Sequence, residues 1–327
     1  ITSGPSGGTL TFTGLDLVML ATVNGSINLN SDVLFQDLHE LVMYARGAGS
    51  NLTINSPISN IEILGLVAED SMHLTNPGTM TVGKLDAISG SDLTLQIGGS
   101  LLLNGRVRLD AIVLPGASVN SGANLTLNVA GDCTNNSETQ SSHLTVTNRD
   151  HIGTGGNIAA NIGGNLTGMN DFALVVQNTN SQIDNGGNIS LRAGGVNVAG
   201  AVDATLDNTG GLIGSDTNLT ITSSVALNAR GDATFQILNS DNGPGGRPGQ
   251  INGSATINVS TGEDFSANSM TAFINDRDAG SIGSNAIVRL DIGGALSPAT
   301  DLVAGISTRN DGKGGGSIGS DATVNLT

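Results

Sequence analysis

Apolar residues recur along this chain in triplets that skip every second position. Leu93, Leu95 and Ile97 alternate with Thr94 and Gln96, and Leu125, Leu127 and Val129 alternate with Thr126 and Asn128. The series continues through Ile158-Ala160-Ile162, Ile189-Leu191-Ala193, Leu219-Ile221, Ala255-Ile257-Val259, Ala286-Val288-Leu290 and Ala322-Val324-Leu326. First members lie 32, 33, 31, 30, 36, 31 and 36 residues apart. A period of two predicts strands with one buried face. Leu52-Ile54 and Leu10-Phe12 extend the series backwards in steps of 41 and 42 residues. One segment departs from it. Leu34, Leu38, Leu41 and Val42 stand at helical spacing, which leaves a helix over 34–46 as an alternative there.

Each triplet is followed by a bend of small residues and a second apolar piece, as in "GGSLLL", "GGNLTG" and "GGVNV". Glycine accepts the backbone angles of a tight corner. A third piece ends at Asn148, Asn178, Asn208 and Asn239, and a Gly-rich loop then leads to the next copy. About three short strands per coil of ~30–36 residues, with no intervening helices, predict an all-β parallel β-helix, or β-solenoid. One coil cannot bury its apolar face alone, but a stack can. Nine or so coils at about 4.8 Å each make a rod of roughly 40–50 Å. The recurrent asparagines tolerate left-handed backbone and can bond from coil to coil as an amide ladder. The predicted organisation is N-terminal coils with longer, irregular repeats over 1–84 and regular repeats over 85–327. The final piece, "ATVNLT", begins another coil, so either the natural chain continues or this end stacks on another molecule. Ile1 rather than Met likewise suggests a processed or partial product.

Composition sharpens this picture. The 48 glycines, absent Trp and 2% aromatic content suit a narrow aliphatic core better than a large globular one. Net charge is −16, with two lysines and ten arginines, which argues against nucleic acid and anionic membrane as partners. No apolar run is long enough for a membrane-spanning helix. The lone Cys133 excludes an internal disulfide. It follows Val129 by four residues, as Leu101, Leu166 and Leu296 follow Ile97, Ile162 and Ile292, so an interior slot is expected.

Tandem Gly- and Asn-rich coils, with "SIGSDATVNLT" (317–327) nearly copying "GSIGSNAIVRL" (280–290), resemble large bacterial surface β-solenoids. These are the filamentous-haemagglutinin-like adhesins and autotransporter passenger domains. The resemblance covers residues ~85–327 well and the first 84 loosely. It implies a right-handed coil exported to the bacterial cell surface, where it serves adhesion or builds extracellular layers and fibres. No catalytic residue is carried over by it. Expected partners are the chain itself through end-to-end stacking, neighbouring surface components, and polysaccharide.

Candidate chemistry is sparse. Asp110, Asp171, Asp203, Asp232 and Asp301 recur just before the third strand and would form an acidic stripe if stacked. Close carboxylates there could hold Ca²⁺ or work as an acid–base pair, with Asp171, Asp203, Asp232 and Asp301 the metal candidates. The plainer reading is a series of solvated corner turns. "NRD" (148–150), "DRD" (276–278) and "RND" (309–311) suggest intercoil ion pairs. His39, His73, His143 and His151 lack metal-ligand spacing, though the last two flank one strand and its loop. "GPGGRPG" (243–249) lacks the ending of a phosphate loop. The balance favours a non-catalytic structural or adhesive segment, with no cofactor required. Filament subunit and polysaccharide-active β-helix are the alternatives.

Overall fold

A computed structural model describes residues 9–241, 247–308 and 315–327. All regular structure in them is β, and every strand pair is parallel and in register. The chain is a parallel β-helix. The apolar triplets form an 11-stranded sheet, which we call the triplet sheet. The second and third pieces share a 19-stranded broad sheet. A seven-stranded sheet closes the later windings. Ten steps between the triplet strands correspond to a stack of roughly 50 Å.

The triplets fold as their alternation dictates. In Leu93–Ile97 the three apolar residues are buried and Thr94 and Gln96 face outward. Residues in the same slot stack on one another, as in Leu93↔Leu125↔Ile158↔Ile189↔Leu219. The core is therefore a shaft of aliphatic side chains, with Phe35, Phe235 and Phe265 among its largest members.

The seven-stranded sheet occupies the stretch that the sequence pattern left as loop. Its strands run from Val119–Gly122 to Ser317–Ile318, and Ile152, Ile183, Ile213, Ile251 and Ile282 fill one buried column. We call it the isoleucine sheet. Each later winding thus has four strands rather than three. Glycine pairs before two of the triplets, Gly155-Gly156 and Gly186-Gly187, turn the chain out of this sheet. Gly155 and Gly186 have φ of 136° and 142°, and a Cβ on either would overlap a carbonyl oxygen of the winding beside it.

The N-terminal windings are shorter, not longer, than the later ones. The register runs Ile27↔Leu52↔Met72↔Leu93, in steps of 25, 20 and 21 residues. The 41-residue interval from Leu52 to Leu93 holds two windings, with Met72–Asn76 between them. Leu10–Thr13 lies in the broad sheet against Val33–Gln36, so Ile27–Leu29 is the first triplet strand. Windings are short here because they lack the isoleucine sheet and its loops.

The helical alternative fails at 34–46, which lies in the 14-residue strand Val33–Arg46. Its buried residues are Val33, Phe35, Leu38, Leu41, Met43 and Ala45. Two bends each insert one residue, and Asp37 takes a left-handed φ of 52° at the first. A three-residue interval across a bend mimics helical spacing. The apolar alignment also slips at one place. Leu219 pairs with Ile257, not Ala255, because both strands extend to seven residues and Thr217 fills the slot facing Ala255.

Candidate functional site

The recurrent asparagines build the most distinctive feature of the interior. Asn148, Asn178, Asn208 and Asn239 are buried at the junction of the broad and isoleucine sheets. Asn148 Nδ2 donates to Asn178 Oδ1, Asn178 to Asn208, and Asn208 to Asn239, each at 2.8 Å. The same nitrogens donate to the main-chain oxygens of Gln182, Leu212 and Gln250 in the isoleucine-sheet strand of the next winding. Asn239 donates onward to Asp276 Oδ1 at 2.6 Å and to the Ser281 carbonyl at 3.0 Å. Asp276 can end such a ladder because a carboxylate only accepts. Burial pushes its pKa up to about 6, opposed by the Asn239 amide and the Ser317 backbone. A second row precedes the triplet strands. Asn124 Nδ2 donates to Asp92, Asn157 to Asn124, and Asn188 to Asn157 at 2.9–3.0 Å.

The acidic candidates do not form one stripe. Asp171, Asp232 and Asp301 share a corner, each just before a broad-sheet strand. Ala201 and Ser269 occupy that corner in the windings between them, as the flanking register requires. Two winding steps, roughly 10 Å, separate consecutive carboxylates, too far to share a cation that binds at about 2.3–2.6 Å. Their bonds are to neighbouring windings. Asp171 Oδ1 accepts from the Ala201 amide at 2.8 Å. Asp232 Oδ1 accepts from Asn268 Nδ2 at 2.8 Å and Ser269 Oγ at 2.7 Å, and these donors hold its pKa below the usual value. Asp203 and Asp110 lie inside strands instead, because their corners sit one or more residues earlier. Burial raises the Asp203 pKa, with Thr205 Oγ1 donating to it at 2.7 Å. Asp110 is buried and pairs with Arg108. Among the described residues, no three His, Cys, Asp or Glu side chains gather as a metal site.

The same clasp occurs at carboxylates that the sequence reading passed over. Asp132, Asp216 and Asp264 accept from the amides of Asn165, Ser254 and Ala295 at 2.7–2.8 Å. Their common signal is an Asp next to or just before the first residue of a strand.

The histidines are surface groups, and His143 and His151 sit on different sheets of one winding. His39 Nδ1 meets Glu62 at 2.6 Å, and that hydrogen bond raises the imidazole pKa. His151 Nδ1 contacts Ser118 Oγ at 3.1 Å while its Nε2 contacts Asp184 at 3.0 Å. Serine, imidazole and carboxylate in a row are the parts of a nucleophilic relay. Here they span adjacent windings on the outer side of the isoleucine sheet, with Ser118 exposed, so the row is another intercoil ladder. Cys133 stacks between Leu101 and Leu166, and burial pushes its thiol up to about 12. That suits a small apolar filler and not a nucleophile.

"NRD" does not supply the expected ion pair. Asn148 is in the ladder, Asp150 accepts from the Gly116 amide, and Arg149 is exposed with no carboxylate partner among the described residues. "RND" and most of "GPGGRPG" lie outside the described residues. Cationic side chains gather on the outer face of the broad sheet. Arg106, Arg108, His143 and Arg149 line a shallow depression there with Thr145, Thr147 and Gln177. No family model, curated protein or solved structure matches this chain. No helix among the described residues is long and apolar enough to cross a membrane.

Proposed function

We propose that this chain is a non-catalytic, rigid segment of an extracellular bacterial surface protein, acting as a spacer or adhesive rod. The observation that carries the reading is the unbroken register of eleven triplet strands over a continuous aliphatic shaft. Bending such a rod opens main-chain bonds and core contacts together, so it resists bending as a unit. Outward positions such as Thr94, Asn128, Ser190 and Thr220 are polar and vary from winding to winding. Such variation lets surface chemistry diverge while the shaft is kept. The style of the repeats supports a place among bacterial surface β-solenoids, with export as its corollary.

Electron microscopy and solution scattering of the purified chain test this reading. Isolated rods of uniform length are expected, and a near-spherical particle would overturn it. Long filaments would favour coil-on-coil self-association, using apolar side chains exposed on the outermost windings, such as Met19 and Leu326. Incubation with a panel of polysaccharides is expected to release no new chain ends. Cleavage would replace the rod reading with an enzymatic one.

A further inference from the structure

We propose that the outer face of the broad sheet between Arg106 and Arg149 binds a carboxylate-bearing polysaccharide. The chain carries only 12 Lys and Arg and a net charge of −16, yet Lys84, Arg106, Arg108 and Arg149 crowd onto three adjacent windings with His143. The cations are not cancelled one for one. Lys84 Nζ and Arg106 Nη2 both grip Asp86, at 2.9 and 2.7 Å, so one carboxylate serves two charges. Arg108 reaches Asp110 through Nε at 2.5 Å, leaving both terminal amino groups for a ligand. Arg149 has no carboxylate partner among the described residues.

The acids around this zone include Asp86 and Asp110 within it, Asp150 next to Arg149 in the chain, and Asp203 and Asp207 beyond Ala173 and Gln177, two windings from His143 and Thr147. They bound the positive area without erasing it. Thr145 and Thr147 stand outward between the arginines, and Thr147 Oγ1 donates to Gln177 Oε1 at 3.4 Å. A guanidinium fork matches a planar carboxylate, while hydroxyls and an amide match sugar hydroxyls. The depression is open along the sheet, which suits an extended chain. Nucleic acid would need rings to stack its bases, and the outward residues of this patch include no Phe, Tyr or Trp.

Binding of a fluorescent oligouronate, its uncharged counterpart and single-stranded DNA, followed at low and moderate salt, tests the proposal. The oligouronate is expected to bind, more weakly as salt rises, and the uncharged glycan is not. Because Arg108 holds the buried Asp110, R149Q is the decisive variant. Its loss should weaken oligouronate binding roughly three- to tenfold. R192Q, on the triplet sheet, should bind as the parent does, and thermal melting checks that both variants keep the fold. No oligouronate binding at low salt, equal binding of the uncharged glycan or DNA, or unchanged binding by R149Q would each overturn the assignment.

Discussion

The windings before Leu93 and those after it solve the same closure problem with different chemistry. In the early windings, single bent strands, Val33–Arg46, Ile58–Ala68 and Met80–Ser89, do the work that a short and a long strand share later. Serine hydroxyls tie their corners. Ser50 Oγ donates to the Arg46 carbonyl at 2.8 Å, and Ser89 Oγ shares its one proton between the carbonyls of Asp70 at 2.6 Å and Asp92 at 2.8 Å while accepting from the Ser91 amide at 3.2 Å. The later windings add the isoleucine sheet with its own glycine corners, such as Gly155 and Gly186, and the buried amide ladder, while positive-φ glycines also turn an early corner at Gly47 and Gly49. A narrow winding can be closed by local bonds within one or two turns of chain. A wider one has more buried polar backbone at its junctions, and stacked amides satisfy it across windings.

The sharpest way to break this comparison is to put a side chain at a later corner. Gly155→Ala would place a Cβ against the Gly122 carbonyl at a φ that favours glycine alone. A loss of about 3–5 kcal/mol is expected in chemical unfolding. In an early winding, Gly65 has ordinary backbone and its added methyl would meet only a Val42 methyl at 3.7 Å. Gly65→Ala is expected to fall within about 1 kcal/mol of the parent. Equal losses at the two sites would mean that the Gly155 corner tolerates a side chain as well as an open strand position such as Gly65 does.

Next in size is the ladder itself. Asn178→Ala removes the acceptor for Asn148, the donor to Asn208 and the partner of the Leu212 carbonyl. Three unmet buried groups predict a loss of roughly 3–4 kcal/mol. The early counterpart, Ser89→Ala, removes two bonds from one hydroxyl and should cost about 1–2 kcal/mol. Hydrogen exchange would locate the damage. Asn178→Ala should speed exchange in the neighbouring windings on both sides, and Ser89→Ala only beside its own corner.

The same division explains what the sequence disclosed. The triplets from Leu93 onward were legible because strand alternation survives burial on one face. The asparagine ladder was legible because Asn148, Asn178, Asn208 and Asn239 keep an interval near the winding length. The early windings were obscured by bends at positions such as Asp37, where the buried period jumps from two to three. The isoleucine sheet was obscured by brevity, since a two-residue strand such as Leu212–Ile213 carries no alternation. Its trace was the lone isoleucine before glycine in "SIGS" and "LIGS". The acidic candidates misled because an Asp at a corner and an Asp one pleat inside a strand read alike in one dimension. The basic patch was invisible, since Arg106, Arg108 and Arg149 come to share one face only when windings stack.

A pH series separates the ladder's final member from the rest. The folded Asp276 carboxyl titrates at about 6, above its ordinary value of 3.8. Between those values the native state holds the proton more firmly than the unfolded chain. This contribution to stability is therefore complete below pH ~4 and disappears as pH rises through 6, a change of the order of 2–3 kcal/mol. Asp203, also raised by burial, adds a smaller change of the same sign. Asp276→Asn should continue the ladder without titrating. It should melt above the parent at pH 7.5 and close to it at pH 4. Parallel melting curves at every pH would show that Asp276 does not end the ladder as a buried carboxyl.

The smallest expected effect is that of metal removal, and it bears on the corner carboxylates. Asp171 and Asp232 each accept through Oδ1 from donors of adjacent windings, with Ala201 rather than a third acid between them. A cation bound there would have to displace those donors and bridge about 10 Å. Melting with a chelator, with 1 mM Ca²⁺ and with neither should agree within about 1 °C, because a ligand that does not prefer the folded state leaves the midpoint unmoved. A calcium-dependent rise that Asp232→Asn abolishes would instead make the later corners metal-stapled. The early windings contain none of the corner candidates Asp171, Asp232 and Asp301, so protection confined to the later ones in hydrogen exchange would trace such a staple to its place.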